Sequence, residues 1–320
     1  MGLVEAWGGN AFGWFFAHLI EAPYNLFYAL LHPSAWLAWV PHMQLNGRIE
    51  DTAVAESLIR FMYYGASWEL FFVLFFLFLV VTVVGLLNNL VMWSCVRGLE
   101  AMANWIGRVA AWFGLIMVLQ QILIIFMQRV FAVAEISLGF GMTFTKDVSW
   151  WSEELKLYNA MIVCLCVTYT FVQGGHVRVD LVYSVVSYRT KRIIDMFGSM
   201  IFMVPAALVT YFYGWFFLWR TLVTPPFSAS DTFKDLDKLL IKARALRWNV
   251  ETIGFSPNGF NGYFLFKVLL VVFTLLVILQ AIAFFYRSFL ELKEGPASEG
   301  RYLDKDVLGD PIAEQAAQIH

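Results

Sequence analysis

The chain is poor in charge. Only 14% of its 320 residues are Asp, Glu, Lys or Arg, where a soluble domain carries about a quarter. A formal net charge of −2 leaves no basic field, so no nucleic-acid partner is expected. Cysteine is scarce too: Cys95, Cys164 and Cys166 all lie in or beside apolar runs. Cys164 and Cys166 point about 200° apart on a helix. That spacing is neither a Cys-x-x-Cys redox pair nor a metal set, and they read as small apolar helix residues. His18, His32, His42, His176 and His320 fall outside the long apolar runs, which argues against a haem ligated within spans. A nucleophile–base pair and a phosphate loop are also lacking, so neither an enzyme nor a cofactor is expected. Glu5 and the lack of a basic first segment argue against a cleavable signal peptide.

What the chain has is apolar length. It is 60% hydrophobic and 18% aromatic, the composition of an integral membrane protein. About 20 apolar residues cross the hydrocarbon as helix. Five segments qualify: Trp68 to Trp93, Val109 to Met127, Trp150 to Val172, Met196 to Trp219 and Val268 to Tyr286. Trp68, Trp93, Trp105, Trp150, Trp151, Trp215, Trp219 and Tyr286 sit at their ends as an interfacial belt. Gln120 and Gln121 fall in the middle of the second run, and Gln280 near the end of the fifth. Uncharged amides there suit interhelical packing. Pro205 should kink or loosen the fourth helix.

Residues 1–65 form a separate aromatic-rich module, with Trp7, Trp14, Trp36 and Trp39 and breaks at Pro23, Pro33 and Pro41. Short helices lying in the interface are expected, in contact with membrane lipids. Residues 66–100 contain the first span. Between the last two spans, Phe233, Leu236, Leu239, Leu240, Ala243 and Leu246 recur at helical spacing among charges. They predict an amphipathic extramembrane helix near 231–247, with Thr232 and Asp235 at capping-box spacing. The polar tail 291–320 is expected to be mobile.

The densest polar feature is Gln173-Gly174-Gly175-His176-Val177-Arg178-Val179-Asp180, between two apolar runs. Gly174 and Gly175 can end a helix. Arg178 can bond helix-end carbonyls, a lipid phosphate or a partner carboxylate. His176 reads as a hydrogen-bonding loop residue. Glu153 and Glu154 fall in the first turns of a helix, where they complement its dipole, and one of them can pair with Arg129. No carboxylate is expected to be buried deep within a span. Arg178, Arg189, Lys191 and Arg192 outweigh Arg129 and Lys146 on the opposite short loop. The positive-inside rule therefore places residues 173–192 in the cytoplasm, although the loop 220–267 carries seven Lys or Arg residues against this.

These residues also carry a resemblance. Gln128-Arg129-Val130-Phe131, followed by Trp151-Ser152-Glu153-Glu154-Leu155, resembles the "QRY-F … W-x-E-E-L" passage of the small permease subunit of tripartite ATP-independent periplasmic (TRAP) transporters. Gly175-His176-Val177-Arg178-Val179-Asp180-Leu181 is similar to that family's "G-x-H-x-R-V-D-L" loop. Ser256-Pro257-Asn258-Gly259, Lys267 and Leu279-Gln280 resemble its "S … K … L-Q" ending. The likeness spans about Ile106 to Leu290.

The resemblance implies an all-α integral membrane protein with a four-helix small-subunit-like core at 101–290. To this the chain adds one N-terminal transmembrane helix and interfacial helices. It implies a non-catalytic subunit in the bacterial inner membrane that supports and anchors a large multi-spanning permease. That permease takes up an organic anion with sodium from a periplasmic solute-binding protein. Gly175, His176, Arg178, Asp180, Trp151, Glu154 and Arg129 then become candidate partner or lipid contacts. The extra N-terminal span departs from the family pattern and keeps a second reading open. In it the protein is an accessory scaffold among the subunits of a respiratory or photosynthetic, energy-converting membrane complex.

Overall fold

The computed structural model describes residues 4, 7–139, 143–173, 185–226, 236–254 and 256–304. Among the described residues the longer helices are α1 (Ala11–Leu31), α2 (Thr52–Gly65), α3 (Trp68–Leu87), α4 (Asn89–Ile125), α5 (Val148–Gln173), α6 (Tyr188–Phe197), α7 (Val204–Leu222) and α8 (Phe264–Glu294). Strands are β1 (Asn46–Arg48), β2 (Glu135–Gly139), β3 (Thr143–Asp147), β4 (Val223–Thr224) and β5 (Arg247–Asn249). Five helical stretches are long and apolar enough to cross a membrane: Trp68–Leu87, Asn89–Val130, Val148–Gln173, Tyr188–Leu222 and Phe264–Glu294. The protein is thus an all-α membrane architecture with small extramembrane strands. The chain divides into two units, one of residues 1–88, 210–254 and 261–268, the other of 89–209, 255–260 and 269–320.

In the first unit Ser34–Leu37 and Val40–His42 are short helical turns as expected, but residues 11–31 depart from that expectation. α1 is one helix of 21 residues that runs through Glu21 and Pro23. Its start is capped by Asn10, whose side chain accepts from Gly13 N at 2.7 Å. Proline removes one ladder bond, but tertiary packing holds most helices together. Here Ala17 and Ala22 are fully buried, and Trp14, Phe15 and Leu19 pack on Phe72 and Val73 of α3. α3 is capped by Ser67 and ends at Asn88, which is extended. The first span therefore stops short of Trp93.

α2 starts at Asp51, whose carboxylate accepts from Ala53 N at 2.8 Å. It buries Val54, Ala55, Leu58, Ile59 and Met62 on one face. Its last carbonyls, which have no partner within the helix, are met by α7: Trp215 Nε1 donates to Met62 O (2.9 Å) and Tyr211 OH to Gly65 O (2.8 Å). A Cβ on Gly65 would overlap the Trp215 ring. The predicted amphipathic helix ends earlier than its periodicity suggests. Among the described residues Leu236–Ile241 is α-helical; a 3-10 turn, Lys242–Ala245, and then β5 follow. Leu239, Ala243 and Leu246 are buried. The rest of the segment is drawn into an antiparallel sheet of order β1-β5-β4. Thr232 and Asp235 lie outside the described residues.

In the second unit α4 continues through a π turn, Phe126–Val130, to form a stretch of 42 residues. At 1.5 Å per residue this is about 63 Å, twice the hydrocarbon thickness. The residues before Val109, which hydropathy does not mark as a span, are helical because one face is buried: Met92, Trp93, Val96, Glu100, Ala103, Asn104 and Gly107. α4 packs closely along α5 through small residues. Ala103 and Ala110 are buried, and a Cβ on Gly107 would overlap Tyr169. The loop between these helices forms a hairpin of β2 and β3, pairing Glu135 with Asp147 through Gly139 with Thr143.

α6 passes into α7 through a π turn, Gly198–Met203. Pro205 stands just after it, at the second residue of α7. A proline clashes with the carbonyl four residues earlier, and a π turn is one way for a helix to absorb this. The tail also departs from expectation. A 3-10 turn, Pro296–Ser298, flanked by Gly295 at φ +87° and Gly300 at φ +69°, brings residues through Asp304 back onto the second unit. Residues 305–320 lie outside the described residues.

Candidate functional site

The second unit holds two polar clusters on its long helices. The first joins the C-terminal turns of α8 to α4, α6 and the returning tail. Arg287 donates from Nε to Glu100 Oε1 at 2.6 Å and from Nη2 to Glu100 Oε2, the two-point geometry that suits a guanidinium and a carboxylate. Its Nη1 reaches Glu291 Oε1 (3.4 Å) and Arg301 O (3.1 Å), and its guanidinium lies 5.5 Å above the Trp93 ring. Glu100, Arg287 and Glu291 are only 5%, 7% and 2% exposed.

Arg192 of α6 joins the same cluster. Its Nε lies 3.0 Å from Glu291 Oε2, off the line of a directed hydrogen bond, so this is a charge contact. It also pairs with Asp195 (3.5 Å) and with Glu299 in the tail. Further out, Gly300 N donates to Glu291 Oε1 at 3.2 Å. Asp304 accepts from Arg108 (3.0 Å) through its carboxylate and from Asn104 (2.8 Å) through its carbonyl. Gln173, the last residue of α5, donates to Asp304 O at 3.1 Å. Tyr188, the first of α6, donates to Glu291 O at 3.1 Å and Gly295 O at 3.3 Å. The two helix ends that flank residues 174–187 therefore both bond the α8 terminus and tail.

Glu100 and Glu291 are buried, but they stand in the parts of their helical stretches that lie outside the predicted spans Val109 to Met127 and Val268 to Tyr286. Each carries a cation partner, as burial of charge demands.

The second cluster lies at the start of α5. Gln120 Nε2 donates to Trp151 O (3.2 Å) and Glu154 Oε2 (3.1 Å), and Tyr158 OH donates to Glu154 Oε1 (3.3 Å). Gln120, which hydropathy centres in its span, thus stands at the level of the first turns of α5. Glu153 holds the Ser256–Gly259 turn: Ser256 Oγ donates to its Oε1 (2.8 Å) and Phe260 N to its Oε2 (2.9 Å). A Cβ on Gly259 would overlap the Glu153 carboxylate. An apolar groove of about 270 Å³ runs beside this cluster, lined by Ile116, Leu119, Gln120, Leu123, Ile136 and Trp151 among others.

Gly175, His176, Arg178 and Asp180 lie outside the described residues. Trp151 is buried, in a cluster with Ile124, Ile136 and Val148. Arg129 is exposed in the π turn that ends the α4 stretch. Neither Glu153 nor Glu154 pairs with it; their oxygens are taken by Ser256, Phe260, Gln120 and Tyr158. Gln121, next to Gln120, is exposed and makes no hydrogen bond to another described helix. Gln280 is buried within α8. Among the described residues no three His, Cys, Asp or Glu side chains are grouped to hold a metal. What the clusters can do is fasten helices and tail together at fixed heights. Sequence reading missed Glu100, Arg287 and Glu291, and gave Arg192 only as a charge that bears on orientation. The i,i+4 pair Arg287–Glu291 was the one local signal, since that spacing puts both on one face of a helix.

The family model for tripartite ATP-independent periplasmic transporters, DctQ component, matches residues 138–229. That segment runs from the end of β2 through α5, α6 and α7 to just past β4. No curated protein and no solved structure matches the chain.

Proposed function

We propose that this chain, whose residues 138–229 match the family model of the TRAP-transporter DctQ component, supports and anchors a large permease that imports an organic anion with sodium. It is a multi-pass protein of the bacterial inner membrane. TRAP systems pair the small component with a large permease and a periplasmic binding protein; in our reading this chain takes both as partners. The family match is the observation that carries the proposal. It is supported by the buried contacts of the second unit, which use their charges to tie helices together rather than to present a reaction centre.

In this reading the protein has four parts: an interfacial module at 1–65, an added span at 66–100, the small-permease-like helices at 101–290, and the tail. The loop with Gly175, His176, Arg178 and Asp180 serves assembly. Arg178→Ala and Asp180→Ala should then reduce recovery of the large permease without impairing membrane insertion. Purification of the tagged native protein from its own membrane tests the whole reading. Recovery of a large permease, together with sodium-dependent anion uptake that is lost when this chain is deleted, supports it. Recovery with a respiratory or photosynthetic complex and no large permease overturns it.

A further inference from the structure

The sheet of the first unit has two unlike faces. Val223 and Trp248, paired across β4 and β5, are buried. Trp248 packs 6.1 Å from Trp39, which meets Trp219 of α7 edge-on at 5.7 Å. The opposite face is exposed and polar. On it Arg48 of β1 stands directly across from Arg247 of β5, and Asn46 across from Asn249. Thr224 of β4 is the other neighbour of Arg247 and accepts from Asn249 Nδ2 at 3.0 Å.

Like charges directly opposite one another destabilise a sheet. Arg48 and Arg247 stand so without an ion pair or hydrogen bond to any described residue. Nearby acids are occupied or turned elsewhere: Asp51 caps α2, Glu251 binds Lys267 at 3.2 Å, and Glu50 forms no ion pair with either arginine. Among the described residues nothing offsets this pairing.

We propose that this face, with Arg48 and Arg247 flanked by Asn46, Asn249 and Thr224, is a docking face for an acidic segment of a protein partner. Two guanidinium groups on paired strands, with Cα atoms about 5 Å apart, match neighbouring carboxylates on one side of an extended segment. The flanking amides supply donors and acceptors for its backbone. A protein is favoured over a lipid headgroup because the sheet's other face is the one turned toward the aromatic residues of α7. The arginines therefore stand on the face opposite Val223 and Trp248. Arg48 and Arg247 both lie outside residues 138–229, whereas Thr224 lies within them.

The test uses the full-length protein in phosphatidylcholine nanodiscs and a labelled hexaglutamate peptide, read by anisotropy. Binding at roughly 0.02 M salt that disappears near 0.5 M is expected, since exposed charges are screened. Arg48→Glu and Arg247→Glu should each weaken it by at least about tenfold. Arg48→Glu should also keep or raise the Tm, because it converts an opposed like-charge pair into an ion pair. Equal peptide binding by wild type and the double variant overturns the proposal, as does a lower Tm for Arg48→Glu. Phosphatidylglycerol in the nanodisc that displaces the peptide from wild type identifies a lipid as the occupant and also overturns it.

Discussion

At the residue scale the buried pair Glu100–Arg287 is the most consequential contact of the second unit. Its members are 187 positions apart, so no window of sequence could connect them. Glu100 reads as a charge between apolar runs and Arg287 as the end of a span, and only the folded contact makes either one buried. Arg287→Ala leaves Glu100 an uncompensated buried charge and should cost about 3–5 kcal/mol in denaturant unfolding in micelles. Replacing both, Glu100→Leu with Arg287→Met, should recover most of that loss, since a buried ion pair is often no better than well-packed apolar residues. Gln120 shows what sequence conveys about a single residue. Its role in joining helices is legible from an amide within an apolar run. Its height, level with Trp151 and Glu154, depends on how α4 and α5 are aligned.

At the element scale the apolar cores of the five spans are legible because ~20-residue runs leave little choice in a membrane. Their ends are not, because they are set by burial and capping rather than by hydropathy. α4 gains 20 residues before Val109 from a buried face, and α8 runs to Glu294, past the predicted Tyr286. The strands escaped for the same reason. β5 has only three residues, and its pairing with β1 and β4 is a tertiary event.

One helix start has a pH signature. Asp147 accepts from Ser149 N at 2.8 Å, and that backbone bond, aided by a side-chain bond from Ser149, holds its carboxyl below the usual carboxylate range. A folded pKa below the unfolded value means stability present above about pH 4 and lost as pH falls through the folded pKa. The hydrogen-exchange protection factors of the first turn of α5 should therefore fall below that pH. Asp147→Asn, which keeps a capping oxygen but does not titrate, should remove the dependence; an unchanged profile would mean that Asp147 does not govern this turn.

At the scale of the whole molecule, the tail closes the first cluster through contacts of differing strength. Arg192, Arg287 and Glu291 are buried, whereas the Glu299, Arg301 and Asp304 side chains are 58%, 51% and 62% exposed. Truncation after Glu294 should therefore cost only about 2 kcal/mol, the sum of several weak exposed contacts. It should also leave the tail-facing ends of α5 and α6 more open to proteolysis. An unchanged cleavage rate at Gln173 and Tyr188 would show that the tail does not hold them.

The two polar clusters also set a distance. Asn104 and Gln120 are 16 residues apart on α4, about 24 Å of rise; Glu154 and Gln173 are 19 apart on α5, about 28 Å. These intervals fall at or slightly below the ~30 Å of bilayer hydrocarbon. Because hydrogen bonds tie each cluster across neighbouring helices, a single helix cannot tilt alone to suit a thicker membrane. The protein should therefore behave as a gauge of acyl-chain length, with mismatch costing fractions of a kcal/mol per Å. Its thermal stability should peak in bilayers of short to medium chains and decline steadily as the chains lengthen.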